Sequence, residues 1–159
     1  MQEVKGIFKP ILINDERPEA LREFPAVHVQ PVTWGDMDPF NHLNNVAYYR
    51  YAESARISYL RAMGAIQTRT DISTILAASS CQYKRPVVYP DTLLIGVRTK
   101  KLGTTSVVLE YVFFSHAQQC LVAMGEAVMV RANDAGEKQA WSDDERAQFE
   151  RFEGREFAL

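Results

Sequence analysis

Three runs of apolar residues at every second position lie almost end to end in this chain, and the gaps between them are too short for anything but hairpins. The first holds Leu93, Ile95 and Val97; the second Thr105, Val107, Leu109, Tyr111 and Phe113; the third Val122, Met124, Val128 and Val130. A period of two is that of a strand. The connecting segments are Lys101-Leu102-Gly103 and His116 to Gln119. Parallel neighbours need a crossover of about a dozen residues or more, so these strands run antiparallel. Upstream lies one long helical pattern. Tyr48, Tyr51, Ala52, Ala55, Tyr59, Ala62 and Met63 recur at three- and four-residue steps, the spacing of a helix burying one face. Asn44 and Asn45 are N-cap residue types, Gly64 is a C-terminal stop, and small Ala52 and Ala55 let the axis approach a sheet closely.

The remaining elements fit around that frame. Val27 to Trp34 is rich in β-formers and interrupted by Pro31, which predicts an edge or kinked first strand. Gly35 to Pro39 reads as a turn. Ser73 to Tyr83 is a further strand candidate, ending at Lys84-Arg85-Pro86. Ser142 to Glu145 is a capping box opening a short charged helix that ends near Phe152. The expectation is an α+β chain with an antiparallel sheet and one central helix, a single domain over residues 25–159. Residues 1–24 read as an N-terminal extension. A lone helix covers only one face of a sheet, and 47% of the chain is hydrophobic. A second copy is the economical cover for the other face.

Several function classes drop out. The net charge is -2 and the Lys and Arg residues are scattered, which argues against nucleic acid. The apolar runs are far shorter than the ~20 residues that span a bilayer, and the first ten residues lack a signal-peptide pattern. Cys81 and Cys120 form no metal or redox motif and read as small buried hydrophobes. The chain is expected to be soluble and cytoplasmic. It has no Gly-x-Ser-x-Gly elbow, phosphate-binding glycine loop or His-Glu-x-x-His. His28, His42 and His116 are too dispersed to suggest a metal site, so no metal is expected.

What remains is Trp34-Gly-Asp36-Met-Asp38-Pro-Phe-Asn-His42-Leu-Asn44-Asn45, which runs directly into the tyrosine-rich helix. Two carboxylates, an imidazole and two carboxamides are gathered at a strand-to-helix junction. The unpaired N–H groups and positive end of a helix stabilise a developing oxyanion, and a carboxylate beside them can serve as nucleophile or general base. Taken alone, Asp-Pro is also ordinary turn chemistry and Asn-Asn ordinary capping.

Val32 to Asp38, His42-Leu-Asn44-Asn45, Tyr48 and Tyr51-Ala-Glu53-Ser-Ala-Arg56 together resemble the 4-hydroxybenzoyl-CoA thioesterase-like family. Tyr83 to Asp91 and Lys101 to Ser106 resemble later segments of that family, in the same order. The resemblance implies a hotdog fold, in which the antiparallel sheet wraps around the helix. It also implies an acyl-CoA thioesterase that assembles as dimers or pairs of dimers, with sites at subunit interfaces. Asp38 matches the catalytic carboxylate, the backbone N–H of Asn45 the group that polarises the thioester carbonyl, and His42 a position that orients one or the other. Asp36 reads as structural. Substrate contacts are expected at Tyr48, Glu53, Arg85, Lys100, Gly103, Thr104 and Ser106, with basic side chains, Lys84 among them, meeting the CoA phosphates. Tyr48 and Tyr51 also fit a packing face, and Glu53 and Arg56 a surface pair. CoA enters as part of the substrate, and no cofactor is expected.

Two departures from the family pattern stand out. Asn41 fills a position that is often Gly, and Phe40 stands where acyl-carrier-protein relatives have Asn, which points to the CoA branch. Two other functions compete. Hotdog hydratases place His five residues after their Asp, whereas His42 is four after Asp38. A non-catalytic acyl-CoA binder would have no use for Asp38, His42 and Asn45 together.

Overall fold

The computed structural model describes residues 17–66 and 73–158. Five strands, β1 (Ala26–Pro31), β2 (Thr74–Tyr83), β3 (Thr92–Leu102), β4 (Ser106–Ser115) and β5 (Cys120–Arg131), form one sheet in the order β1-β3-β4-β5-β2. Every pairing is antiparallel, as the short connections require. β1 lies at one edge and stops at Pro31, whose missing N–H suits an edge position. β2 forms the other edge.

Helix α1 (Asn45–Met63) lies across the inner face of the sheet. Asn44 caps it, its side chain accepting the Val46 N–H at 2.9 Å, and Gly64 ends it at φ 87°, a left-handed conformation that glycine adopts without strain. Of the stripe read from the sequence, Tyr48, Tyr51, Ala52, Ala55, Tyr59 and Met63 are buried and pack with Leu60 on inner-face residues such as Ile95, Val97, Leu109 and Phe113, whereas Ala62 is exposed. Ala55, with its single methyl, is fully buried between helix and sheet.

The outer face is partly covered by the chain's own N-terminal segment. Leu21 and Phe24 pack on Val27, Leu94 and Phe114. Gly96 lies directly beneath, where a Cβ would come within 2.8 Å of the Phe24 ring, and the Arg98 guanidinium stacks 4.5 Å above that ring. Residues 17–24 are thus built into this subunit; residues 1–16 of the expected extension lie outside the described residues. The second helix, α2 (Asp143–Glu153), opens on the expected capping box and closes the Leu102 end of the sheet. There Trp141 donates to the carbonyl of Ser106 at 3.0 Å, Arg146 to that of Gly103 at 2.8 Å, and Tyr59 to Glu153 at 2.8 Å.

One side chain departs from the sequence reading. Arg56 pairs with the exposed Glu53 at 3.9 Å, but Arg56 itself is only 7% exposed and reaches inward to the Tyr111 hydroxyl at 3.4 Å. Cys81 and Cys120 are free and half-buried. Among the described residues no helix is long and apolar enough to cross a membrane.

Candidate active site

The loop between β1 and α1 is folded on itself before the helix starts. Trp34–Asp36 makes a short 3-10 turn, Met37 and Leu43 form an antiparallel bridge, and the Asp38 N–H donates to the carbonyl of His42 at 2.8 Å. Asn41 takes up the reversal at φ 63°, a conformation that asparagine tolerates better than most residues. The loop is tied to its surroundings by backbone bonds from Leu43 to Val87, from Val32 to Asp91, and from Asn44 to Asp36.

The two carboxylates of this loop are used differently. Asp36 Oδ2 accepts the Tyr51 hydroxyl at 2.6 Å, and that same hydroxyl accepts the Thr33 N–H at 3.2 Å. Asp36 therefore holds the loop to α1, and burial together with this bond raises the Tyr51 phenol above its usual range. Asp38 Oδ1 accepts the N–H groups of Phe40 at 2.9 Å and His42 at 3.2 Å. It is the backbone of His42, not the ring, that orients Asp38 here. Asp38 Oδ2 meets no donor among the described residues, and the side chain is half-exposed.

Asp38 faces a cleft of about 340 Å³ together with His42, Leu43, Asn45, Tyr48, Tyr83, Lys84, Arg85 and Pro86. Asn45 is the first residue of α1, and its N–H is one of the donors a helix leaves without an internal partner. Its side chain accepts the Tyr83 hydroxyl, which comes from the last residue of the edge strand β2. Tyr48 forms the floor, packed edge-on against Tyr83 with ring centroids 4.9 Å apart. Burial, then the proximity of Cys81 and Asp91, pushes its phenol up to about 12, so it is neutral at ordinary pH. Lys84 and Arg85 are exposed on the rim, and neither has a carboxylate partner among the described residues. No group of three or more His, Cys, Asp or Glu side chains among the described residues could hold a metal ion.

Of the residues singled out in the sequence, Asp38, His42, Asn45, Tyr48 and Arg85 thus converge on one cleft, and Lys84 joins them. Glu53 does not line it; it sits eight positions further along α1, about 12 Å at 1.5 Å per residue. Lys100, Gly103, Thr104 and Ser106 lie at or beyond the far end of β3, a strand of 11 residues that spans roughly 35 Å. In this subunit the Gly103, Thr104 and Ser106 carbonyls receive Arg146 and Trp141, and Lys100 pairs with Glu126. Tyr83 was not singled out as a site residue. Its sequence signal is its place at the head of the segment from Tyr83 to Asp91 that resembles the family, just before Lys84-Arg85-Pro86, and the pairing with Asn45 spans 38 residues.

The arrangement suits acyl chemistry. A carbonyl seated between Asp38 and the helix start would receive the Asn45 N–H on its oxygen and the carboxylate, or a water held by it, at its carbon. Comparison with known proteins identifies the family and the fold. A family model described as the thioesterase-like superfamily matches residues 32–149. YsmA of Bacillus subtilis, an uncharacterised protein, is 31% identical over 139 residues, covering 86% of this chain and 93% of its own. A thioesterase from Thermus thermophilus, solved in complex with coenzyme A and Zn, superposes with a TM-score of 0.75 at 28% identity, over 84% of this chain and 98% of the other. A thioesterase-superfamily protein from Jannaschia sp. CCS1 gives a TM-score of 0.74 at 25% identity, over 84% and 86%. The five-stranded antiparallel sheet around one long helix is the hotdog fold these proteins share.

Proposed function

This chain belongs to the thioesterase-like superfamily, and on that footing we propose that it hydrolyses acyl-CoA thioesters to the free acid and CoA. One observation carries the proposal: Asp38, with one oxygen pinned and the other without a donor among the described residues, shares a cleft with Asn45, whose N–H opens α1, and with the rim cations Lys84 and Arg85. The thioester carbonyl oxygen takes the Asn45 N–H, and negative charge building on it in the tetrahedral intermediate is stabilised by the helix start. Asp38 either takes a proton from the water that attacks the carbonyl carbon or attacks it itself, forming an anhydride that water then hydrolyses to free the acid and restore the carboxylate; in both routes collapse expels the CoA thiolate. Arg85 and Lys84 meet CoA phosphates at the entrance. The protein from Thermus thermophilus was solved with coenzyme A, which supports the same leaving group here.

The active form is a homo-oligomer, a dimer or a dimer of dimers, in the cytoplasm. Its support is the edge strand β2, exposed over most of its length, with Ile75 52% and Leu76 44% exposed. An unpaired apolar edge of this kind is a ready template for a second copy. β2 also ends in Tyr83, a wall of the cleft, so that a partner seated on it would complete the site. Lys100, Gly103, Thr104, Ser106 and Glu53, remote from Asp38 in one subunit, would serve substrate held by another copy.

The test is free-thiol release over a panel of acyl-CoAs, with the same acyl groups on acyl-carrier protein as a second arm. CoA thioesters should turn over well and carrier-protein thioesters poorly. No release from any CoA thioester would sink the hydrolase reading, and better rates with the carrier protein would move the substrate to that class.

A further inference from the structure

We propose that the Asn45 carboxamide is a second donor to the thioester oxygen, beside the Asn45 backbone N–H, and that Tyr83 is the positioning residue that turns its NH2 group to the reacting carbonyl. The inference rests on the acyl-CoA reading above and adds two side-chain roles to it. Asn45 lines the cleft with Asp38, and its Oδ1 accepts the Tyr83 hydroxyl. A phenol ionises near about pH 10, so at neutral pH Tyr83 keeps its proton and remains a donor. A carboxamide is planar and carries both its donor hydrogens on the nitrogen. With Oδ1 held, the orientation of Nδ2 is set as well, and Nδ2 has no hydrogen-bond partner among the described residues. Capping does not call on this side chain. Asn44, one residue earlier, caps α1 by accepting the Val46 N–H at 2.9 Å.

The clamp on Oδ1 is itself held by three elements. Tyr83 is paired with Ala123 on β5, and just beyond it the N–H groups of Lys84 and Arg85 both donate to the Val122 carbonyl, at 2.8 and 3.1 Å. This end of β2 is thereby fastened, although most of the strand is exposed. The Tyr83 ring rests edge-on against Tyr48 on α1 at 4.9 Å, and Tyr48 in turn against Phe113 on β4 at 5.6 Å. Donors fixed before the reaction stabilise charge in the transition state without having to reorganise as it develops. A carboxamide free in water would have to turn; one clamped at Oδ1 is already set.

The experiment applies two readouts to Asn45→Ala, Tyr83→Phe and the combined variant. The first is steady-state hydrolysis of the best acyl-CoA of the panel. Asn45→Ala keeps the backbone N–H and should lower kcat about 100-fold or more with little change in KM, the loss expected for one oxyanion donor. Tyr83→Phe should lower kcat about tenfold, the scale of one neutral hydrogen bond, and should cost nothing further in the Asn45→Ala background. The second is the carbonyl stretch of an isotope-labelled acyl-CoA bound to the Asp38→Asn protein, which a donor to the oxygen moves to lower frequency. The stretch should rise in Asn45→Ala and by less in Tyr83→Phe; a bond that merely fastened β2 to α1 would leave it unmoved. Asn45→Leu, close to asparagine in shape, takes the place of Asn45→Ala if that variant does not fold. Unchanged kcat and carbonyl stretch in Asn45→Ala overturn the proposal, as does a Tyr83→Phe loss that persists in the Asn45→Ala background, and the hydrolase reading survives both. If calorimetry shows that the wild type binds acyl-CoA but none is hydrolysed, the hydrolase reading fails while the carbonyl stretch still decides the donor. If none is bound, the proposal falls with the reading it rests on.

Discussion

Tyr51 on α1 donates its hydroxyl to Asp36 at 2.6 Å, across 15 residues of sequence. Because Asp36 is engaged in that bond, and because its carbonyl also receives the Asn44 N–H, the loop is anchored to the helix at the point where α1 begins. Asp38, two residues on, is left facing the cleft. Losing the anchor should loosen the loop without removing any group from the cleft. Tyr51→Phe is therefore expected to lower stability by about 1.5–3 kcal/mol, the range for a hydrogen bond to a charged group. It should also reduce kcat by less than the loss of Asp38 does. Thermal melts and steady-state rates on the same preparation check this; an unchanged melting temperature would show that the bond holds nothing.

Asp38→Asn keeps an oxygen to accept the Phe40 and His42 N–H groups, so the loop should keep its shape. The charge that makes the residue a nucleophile or base is gone. We expect kcat to fall by at least about 100-fold with the melting temperature nearly unchanged. Asp36→Asn should show the opposite balance, with damage to stability exceeding damage to chemistry. Reversal of the two phenotypes would mean that the carboxylates have been assigned the wrong way round.

Lys84 and Arg85 point the way to the leaving group. Replacing either with Ala should raise KM for CoA thioesters about tenfold with little change in kcat, the mark of binding shared equally by ground and transition states. A thioester of N-acetylcysteamine, which lacks every phosphate, should be insensitive to both changes. Equal sensitivity of the short thioester would place these cations elsewhere in the reaction.

Assembly along β2 is tested with Ile75→Glu combined with Leu76→Glu, which sets charges into the exposed apolar end of the edge. Light scattering should find the wild type as a dimer or tetramer at micromolar concentration and the variant shifted towards monomer, with activity that recovers as protein concentration rises. A wild-type monomer that is fully active would remove the shared-site model.

His28 makes a prediction about pH. It is buried on the inner face of β1, bonded to Ser58 Oγ at 2.7 Å and to Gln30 at 3.2 Å. Burial lowers its pKa, with the Gln30 bond acting weakly the other way. An unfolded histidine titrates near about 6.5, above the folded group, so the unfolded chain binds more protons in the interval between the two. The stability that His28 contributes is therefore complete above about pH 6.5 and is lost as pH falls through that value towards the lower folded pKa. His28→Gln should flatten the fall in melting temperature between about pH 7 and pH 5. A slope identical to the wild type would show that other groups carry the acid sensitivity.

What the sequence determined by itself is what local forces decide. The helix was legible from Asn44 to Gly64, since a capping side chain, a repeating apolar stripe and a left-handed glycine all act within a few residues. The strands and their antiparallel sense followed from period and connection length, and the Asp38 segment from its residue types beside a helix start. The tertiary structure alone decided the rest. That β2 pairs with β5 and not with β3, its next neighbour in sequence, depends on which edges remain after the β3-β4-β5 meander closes. From that choice comes the arrival of Tyr83 at Asn45, and so one wall of the cleft. Arg56 reads as a surface residue by spacing, yet is buried because Tyr111 waits on the opposite element. The cover of Leu21 and Phe24 on the outer face is a similar case. Each joins residues far apart along the chain, where no periodicity or cap records the partner, and only packing free energy selects it.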